Sequence, residues 1–245
     1  MAAALTLLIH GAYGRMGQAL LRLVAEDGRF AAPLAVSRRQ PVERVRDGVA
    51  FFAASELDAV PAFDVLVDFS LADGFDEVLA LARKRGRALV SGTTGLSNTQ
   101  QAALREAAAE IPVLWASNFS IGVALLQRLV RQAASALPGW DCDIIEMHHT
   151  QKKDAPSGTA LTLGQAAQKG GATPHYAAIR AGDIVGEHLV QFAGAGERIE
   201  LVHRASNRDI FARGALQAAA WLADKPAGFY SVSDLLGLDS SGQSG

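Results

Sequence analysis

The sequence has very little cysteine: one residue, Cys142, among 245. A single cysteine can neither close a disulfide within the chain nor supply a thiolate cluster for a metal ion. Because Cys142 stands in an apolar segment, we expect a buried side chain without a chemical role. This cysteine usage favours a reducing cytoplasm and predicts no metal site.

The sequence also lacks long hydrophobic runs and an excess of either charge. No stretch reaches the roughly 20 apolar residues that span a bilayer, and no basic segment followed by an apolar run opens the chain. The formal net charge is −2, which provides no global basic field for a nucleic acid. We therefore expect neither a membrane nor a nucleic acid as a partner, while 49% hydrophobic residues excludes a disordered chain.

The first elements that the sequence predicts are a strand, a glycine-rich turn and a helix. Residues 4–10 predict a buried strand, and Gly11, Gly14 and Gly17 follow it with the spacing G-x-x-G-x-x-G. Glycine lets the backbone turn tightly and approach a pyrophosphate, and a helix N-terminus supplies N–H donors and a positive dipole end. A purely structural turn is the alternative, but the position between a strand and a helix favours a dinucleotide site.

The second predicted strand, residues 31–36, leads into Ser37, Arg38 and Arg39. Ser37 lies 20 positions beyond Gly17, about where an acidic residue would hold the ribose hydroxyls of NAD. The acid is missing, and an arginine at this place suits a 2′-phosphate, although a solvated charged loop is the alternative. The loop favours NADPH over NADH.

Strands and helices then alternate as far as residue 116. This pattern predicts right-handed crossovers and a doubly wound parallel sheet, in which ligands bind at the carboxyl ends of the strands. The predicted elements are strands 65–69, 88–90 and 113–116 and helices 71–85 and 99–109. Small polar residues follow these strands, as expected for a binding edge.

The pattern changes after a predicted helix at 121–134, because Pro138 and Gly139 interrupt the chain and strands 184–192 and 198–203 look like antiparallel neighbours. We predict a dinucleotide-binding domain of residues 1–118 and 211–245, with a second, α+β domain of residues 119–210. A helix at 212–222 would return the chain to the first domain. The small polar residues 239–245 are expected to fray.

Residues 146–160 contain the highest concentration of side chains that can transfer protons or bind anions. His148 and His149 fall at the end of a predicted strand at 142–147, and Lys152 and Lys153 precede a helix that starts at Ser157-Gly158-Thr159. Fixed positive charge beside a helix N-terminus favours an anionic ligand. Surface histidines, a solvated lysine turn and an ordinary helix cap are the alternatives.

Several of these segments carry a resemblance to a known family. They read Gly14-Arg15-Met16-Gly17, Val67-Asp68-Phe69-Ser70, Gly92-Thr93-Thr94-Gly95, Asn118-Phe119-Ser120, Asp154-Ala155-Pro156-Ser157-Gly158-Thr159 after the histidine and lysine pairs, and 180–188. Over nearly its whole length the chain resembles dihydrodipicolinate reductase, also called 4-hydroxy-tetrahydrodipicolinate reductase, of the diaminopimelate and lysine pathway.

The resemblance implies that a nicotinamide cofactor, NADPH or NADH, gives hydride to C4 of a cyclic imine. It implies that His148 is the general acid and that Lys152 assists it and binds a carboxylate of the small dicarboxylate substrate. The implied substrate-binding residues are His149, Lys152, Ser157, Gly158 and Thr159. The implied cofactor-binding residues are Gly11, Tyr13, Gly14, Arg15, Met16, Gly17, Ser37, Arg38, Phe69, Gly92, Thr93, Thr94, Ser117, Asn118 and Phe119. A homotetramer assembled through the sheet of the second domain is also implied.

Two other functions stay open at this point. One is a dinucleotide-sensing regulator that kept the fold without chemistry, and the other is a dehydrogenase of another small carboxylate. His148 and Lys152 favour an enzyme, because a sensor has no need of a proton donor beside an anion site.

Overall fold

The computed structural model describes residues 3–237, so the predicted fraying of residues 239–245 falls outside the described part. The chain divides into two compact units. The first comprises residues 3–119 together with Phe211–Leu235, and the second comprises Ser120–Ile210.

The secondary structure follows the predicted alternation. In chain order, the strands are β1 (Leu7–His10), β2 (Leu34–Ser37), β3 (Val45–Arg46), β4 (Val49–Ala53), β5 (Val65–Asp68), β6 (Ala88–Ser91), β7 (Pro112–Trp115), β8 (Asp141–His148), β9 (Pro174–Arg180), β10 (Gly186–Gly194), β11 (Glu197–Ala205) and β12 (Gly228–Tyr230). The α-helices are α1 (Arg15–Ala25), α2 (Phe75–Arg85), α3 (Asn98–Ala107), α4 (Ile121–Ala136), α5 (Gly158–Lys169), α6 (Asp209–Leu222) and α7 (Val232–Leu235). None of the helices in residues 3–237 is both long and apolar enough to cross a bilayer.

The first unit is built on a sheet with the strand order β12-β7-β6-β5-β1-β2-β4-β3. Neighbouring strands are parallel except for the short edge strand β3, which runs antiparallel to β4. The predicted doubly wound parallel fold is therefore confirmed. The sequence analysis missed β3, β4 and β12, because strands this short or this exposed carry no clear alternation.

The main core of the first unit lies where the central strands meet α2 and α3. Leu66 of β5 and Leu89 of β6 pack with Phe75 and Val78 of α2 and Leu104 of α3, and all five are at most 1% exposed. Strands buried on both faces are apolar at every position, as β1, β5 and β6 nearly are. This core holds the carboxyl ends of the strands in one row.

The second unit contains a four-stranded sheet with the order β11-β10-β8-β9. Strand β10 is antiparallel to both β11 and β8, as predicted, while β8 and β9 are parallel. Helices α4 and α5 cover one face, where Leu126, Val130 and Leu163 pack against Ile144 and Phe192. Strand β9 was not predicted, because its largely exposed residues show no apolar alternation.

Cys142 lies on the covered face of β8 and is fully buried, as predicted. Burial raises the pKa of its thiol to about 11, so the side chain stays protonated at neutral pH. The same alternation along β8 points Ile144, Glu146 and His148 to this face. A buried apolar strand therefore ends in two titratable side chains.

Candidate active site

The glycine turn after β1 allows close contacts between backbone segments. Gly11 has φ +80°, and a Cβ there would lie 2.5 Å from the carbonyl oxygen of Phe69. A Cβ on Gly17 would lie 2.3 Å from the carbonyl oxygen of Gly11. Gly14 begins α1 without a side-chain cap, and no acidic residue stands in the first turn. The turn and the helix start, which includes Arg15 and Met16, therefore fit a dinucleotide phosphate.

The predicted adenosine end lies at the tip of β2. Ser37 is only 2% exposed, and its hydroxyl donates a hydrogen bond of 2.7 Å to the backbone carbonyl of Arg39. Arg38 is exposed beside it. Tyr13 is 47% exposed and stacks on Phe51, with ring centroids 5.6 Å apart. Ser37 thus shapes the turn that leaves Arg38 at the surface.

Asp68 organises the carboxyl end of β5, a role that the sequence analysis did not assign. This fully buried carboxylate accepts hydrogen bonds from Thr93 Oγ1 at 2.7 Å and Ser91 Oγ at 3.0 Å, and His10 Nδ1 lies 2.8 Å away. Burial alone would raise the pKa of Asp68, but the hydrogen bond and charge of His10, together with hydrogen bonds from Ser70 and Thr93, outweigh burial and lower it. Asp68 therefore fixes the loop that contains Thr93.

The residues predicted for the nicotinamide half follow the carboxyl ends of β5, β6 and β7, and Phe69 contacts two of these segments. The Phe69 ring occupies the space that a side chain at position 92 would need. A Cβ on Gly92 would be 2.1 Å from Phe69 Cε1. The rings of Phe69 and the buried Phe119 have centroids 5.3 Å apart. Thr94 and Ser117 are exposed, and Asn118 is half-buried. The loops after these strands thus combine an aromatic pair with small polar residues.

In the second unit, His148 ends β8 and is held by Glu146. His148 is 8% exposed, and its Nδ1 lies 2.5 Å from Glu146 Oε2. Glu146 is fully buried, and both of its oxygens also accept hydrogen bonds from the Arg180 guanidinium, at 2.9 and 2.7 Å. The sequence analysis missed Glu146 and Arg180 as site residues. The i, i+2 spacing of Glu146 and His148 was the available signal for the first of them.

The loop after β8 carries the predicted lysine. Lys152 Nζ forms an ion pair of 2.8 Å with Asp154, whereas Lys153 is exposed. Arg180 donates to the backbone carbonyls of Lys152 and Asp154 and so ties this loop to β9. His149 Nε2 lies 3.3 Å from a nitrogen of Arg208. Lys152 thus belongs to an ordered loop and not to a freely solvated turn.

The start of α5 completes this group of residues. The Ser157 hydroxyl accepts from the backbone N–H of Ala160 at 3.2 Å, and the Ser157 N–H donates to Glu146 Oε1 at 3.1 Å. Gly158 and Thr159 form the first turn of α5, where no acidic residue stands. A helix N-terminus of this kind suits a carboxylate.

Three histidine rings line the covered face of the sheet. The ring centroids of His148 and His188 are 5.2 Å apart, and those of His188 and His203 are 6.4 Å apart. Burial, with smaller effects from the charges of His148 and His203, lowers the pKa of His188 to about 4, so this ring is neutral at neutral pH. Burial also lowers the pKa of His148, but the hydrogen bond and charge of Glu146 oppose that effect. Of these three histidines, His148 is therefore the one whose protonated ring has a carboxylate partner, Glu146.

The fold and these side chains define the chain as an NAD(P)H-dependent oxidoreductase. The first unit has the Rossmann-like sheet and the glycine turn, and the second has a buried histidine, His148, beside a lysine and a helix N-terminus. Among residues 3–237, no group of three or more histidine, cysteine, aspartate or glutamate side chains is arranged to hold a metal ion.

Comparison with known proteins identifies the family. Residues 5–119 match the family described as dihydrodipicolinate reductase, N-terminus, and residues 122–236 match dihydrodipicolinate reductase, C-terminus. The chain belongs to the dihydrodipicolinate reductase family.

Relatives named 4-hydroxy-tetrahydrodipicolinate reductase cover nearly the whole chain. The protein of Stenotrophomonas maltophilia (strain K279a) is 70% identical over 95% of this chain and 98% of its own length. The protein of Xanthomonas euvesicatoria pv. vesicatoria (strain 85-10) is 65% identical with the same coverage. A dipicolinate-bound dihydrodipicolinate reductase from Paenisporosarcina sp. TG-14 shares the fold, with a TM-score of 0.78 and 22% identity over 94% of this chain and 98% of that one.

Proposed function

We propose that the chain reduces 4-hydroxy-tetrahydrodipicolinate to tetrahydrodipicolinate, a step of lysine and diaminopimelate biosynthesis. The overall reaction consumes one reduced dinucleotide and one proton, and it releases water and the oxidised dinucleotide. Loss of water from the substrate gives an unsaturated cyclic imine, and the dinucleotide, when bound, would supply a hydride to C4 of that ring. The single buried cysteine fits a reducing cytoplasm, where we propose that the enzyme works.

The observation that carries this proposal is the group formed by His148, Glu146, Lys152 and the start of α5. His148 protonates the enamine that hydride addition leaves, and Lys152 binds a substrate carboxylate and keeps positive charge near the acid. His149 and the first turn of α5, at Ser157, Gly158 and Thr159, complete the carboxylate site. A positioned acid beside a carboxylate site supports reduction of an unsaturated cyclic dicarboxylate.

The deciding experiment is to measure NADPH consumption in the presence of the freshly generated condensation product of aspartate semialdehyde and pyruvate. We expect turnover that depends on both partners of the condensation. A dinucleotide-sensing regulator would bind NADPH without consuming it, and a dehydrogenase of another small carboxylate would ignore this product. Either result would overturn the proposal.

For the cofactor, we propose that NADPH is preferred to NADH, by roughly tenfold in kcat/KM. Arg38 is exposed directly after β2, and hydrogen bonds to charged groups contribute about 1.5–3 kcal/mol. Solvent and salt reduce this gain towards its lower end, and about 1.4 kcal/mol corresponds to tenfold. Steady-state kinetics with both cofactors should show Arg38→Ala and Ser37→Glu moving the ratio towards NADH.

Two controls separate charge from loop geometry. Ser37→Ala removes the hydrogen bond to the Arg39 carbonyl without adding a carboxylate, so it should move the ratio less than Ser37→Glu. Arg87→Ala, which removes an exposed arginine paired with Asp64, should leave the ratio unchanged. If wild type preferred NADH and neither Arg38→Ala nor Ser37→Glu altered that preference, this loop would not bind the 2′-phosphate.

We also propose that the enzyme is a homotetramer assembled through the face of the second unit's sheet opposite α4 and α5. The strand register places Ile145 beside Leu189, Leu189 beside Val202, and Met147 beside Ile179 on that face. Ile179 and Val202 are 43% and 41% exposed. The apolar row of Ile145, Leu189 and Val202, with Met147 and Ile179 next to it, favours association with other copies.

Analytical ultracentrifugation should therefore give the wild type a mass near four times the 25.7 kDa of one chain. Val202→Glu places a charge in the apolar face and should produce smaller species with an unchanged circular dichroism spectrum. Leu161→Glu, at an exposed position of α5, is the matched control and should keep the wild-type mass. A monomeric wild type would contradict the proposal.

A further inference from the structure

We infer that Glu146 is a positioning residue that keeps a proton on Nδ1 of His148 and thereby makes Nε2 the atom that delivers the proton to substrate. The inference rests on the proposed role of His148 as the general acid.

The Nδ1 side faces a carboxylate that can only accept hydrogen bonds. Burial raises the pKa of Glu146, but hydrogen bonds from Arg180 and His148 outweigh burial and lower it, so Glu146 is ionised at neutral pH. An ionised carboxylate has no proton to donate, and the contact of 2.5 Å therefore requires a proton on Nδ1. In the neutral ring, Nε2 is then the unprotonated nitrogen that gains and loses the mobile proton.

The carboxylate itself is held in one orientation by donors on both oxygens. Oε1 accepts from Arg180 Nη2 at 2.7 Å and from the Ser157 N–H at 3.1 Å, while Oε2 accepts from Arg180 Nη1 at 2.9 Å. The guanidinium also compensates the buried negative charge. Because Ser157 is also the N-cap of α5, Glu146 links the position of the acid to the start of the helix that forms the proposed carboxylate site.

The Nε2 side of the ring faces a glycine. Gly186 is the first residue of β10, and a Cβ at this position would lie 3.0 Å from His148 Nε2. A Cβ at 3.0 Å would crowd Nε2, and glycine has none. One nitrogen is thus fixed by a carboxylate, while the other lies beside a residue without a side chain.

Charged and titratable groups face His148 from its own strand and from each neighbouring element. They are Glu146 on β8, Lys152 on the following loop, Arg180 on β9 and His188 on β10. The Glu146 charge raises the pKa of His148, and the charges of Lys152 and Arg180 lower it. Removing the Glu146 charge therefore lowers this pKa further. The acid must be protonated, so kcat falls as pH rises through the pKa, and the fall should begin at lower pH in the variant.

The test compares wild type with Glu146→Gln in kcat–pH profiles. We expect kcat at neutral pH to fall by about 10–100-fold, KM for the substrate to change less, and the basic limb to move to lower pH. Glu56→Gln is the matched control, because Glu56 also accepts from both nitrogens of an arginine, Arg44, and from a backbone N–H, but contacts no histidine. It should leave kcat and the basic limb unchanged.

A second measurement reads the tautomer without turnover. The protein is labelled with ¹⁵N-histidine, and the signals of His148 are assigned by their loss in His148→Gln. In wild type, the neutral His148 ring should carry its proton on Nδ1. A wild-type proton on Nε2 overturns the inference even if Glu146→Gln does not fold. A Glu146→Gln variant that folds and loses kcat with an unshifted basic limb and tautomer overturns it as well, because Glu146 would then be merely structural. If His148→Gln kept the kcat of wild type, the proposed acid role of His148 would be overturned, while the result on the tautomer would still hold.

Discussion

Replacement of His148 by glutamine is expected to lower kcat by about 10²–10⁴-fold, the usual contribution of a positioned general acid. Glutamine keeps a polar group near Glu146 but has no proton that it can give up. Because His148 is not placed in the carboxylate site, KM for the substrate should change by much less than kcat. Steady-state kinetics with saturating cofactor measures both parameters.

The control for this change is His175→Gln, which removes a histidine whose side chain is 70% exposed on β9. Its kcat should equal that of wild type. If His148→Gln also stayed within a few-fold of wild type, the ring would have only a structural role, and the proton would have to come from another group or from solvent.

Replacement of Lys152 by alanine is expected to lower kcat/KM by about 10–150-fold, since hydrogen bonds to charged groups contribute about 1.5–3 kcal/mol. Both kcat and KM should worsen, because the ammonium group binds the carboxylate and also affects the acid. The side chain is 22% exposed and has Asp154 as a partner, so we expect a value near the lower end. Lys153→Ala is the matched control, because that lysine is the exposed neighbour in the same loop.

The same pair of variants can be tested with a flat aromatic dicarboxylate as a competitive inhibitor. Its inhibition constant should rise with salt in wild type, because part of the affinity is electrostatic. The constant should rise in Lys152→Ala and stay unchanged in Lys153→Ala. Inhibition that responds neither to salt nor to Lys152→Ala would show that the carboxylate binds elsewhere.

The segments that contain the site residues could be predicted from the sequence more readily than the contacts between those residues. Gly11, Gly17 and the 146–160 stretch are visible because turn, helix start and charge are properties of adjacent residues. The motif that contains Asp68 does not reveal the partners of this carboxylate, because Thr93 and His10 lie 25 and 58 positions away in the chain. A carboxylate acquires such partners only when separate strands are brought side by side.

By itself, the sequence determined the alternation of strands and helices, the glycine turn after β1, the cap at Ser157 and the place of His148 at a strand end. These features depend on backbone sterics, side-chain periodicity and local hydrogen bonds, which act over a few residues. Only the tertiary structure decided that Arg180 binds Glu146, which lies 34 positions away, and that Gly186 faces His148 Nε2. Both depend on the register of β9 and β10 against β8, and strand register is set by packing of the whole sheet against α4 and α5.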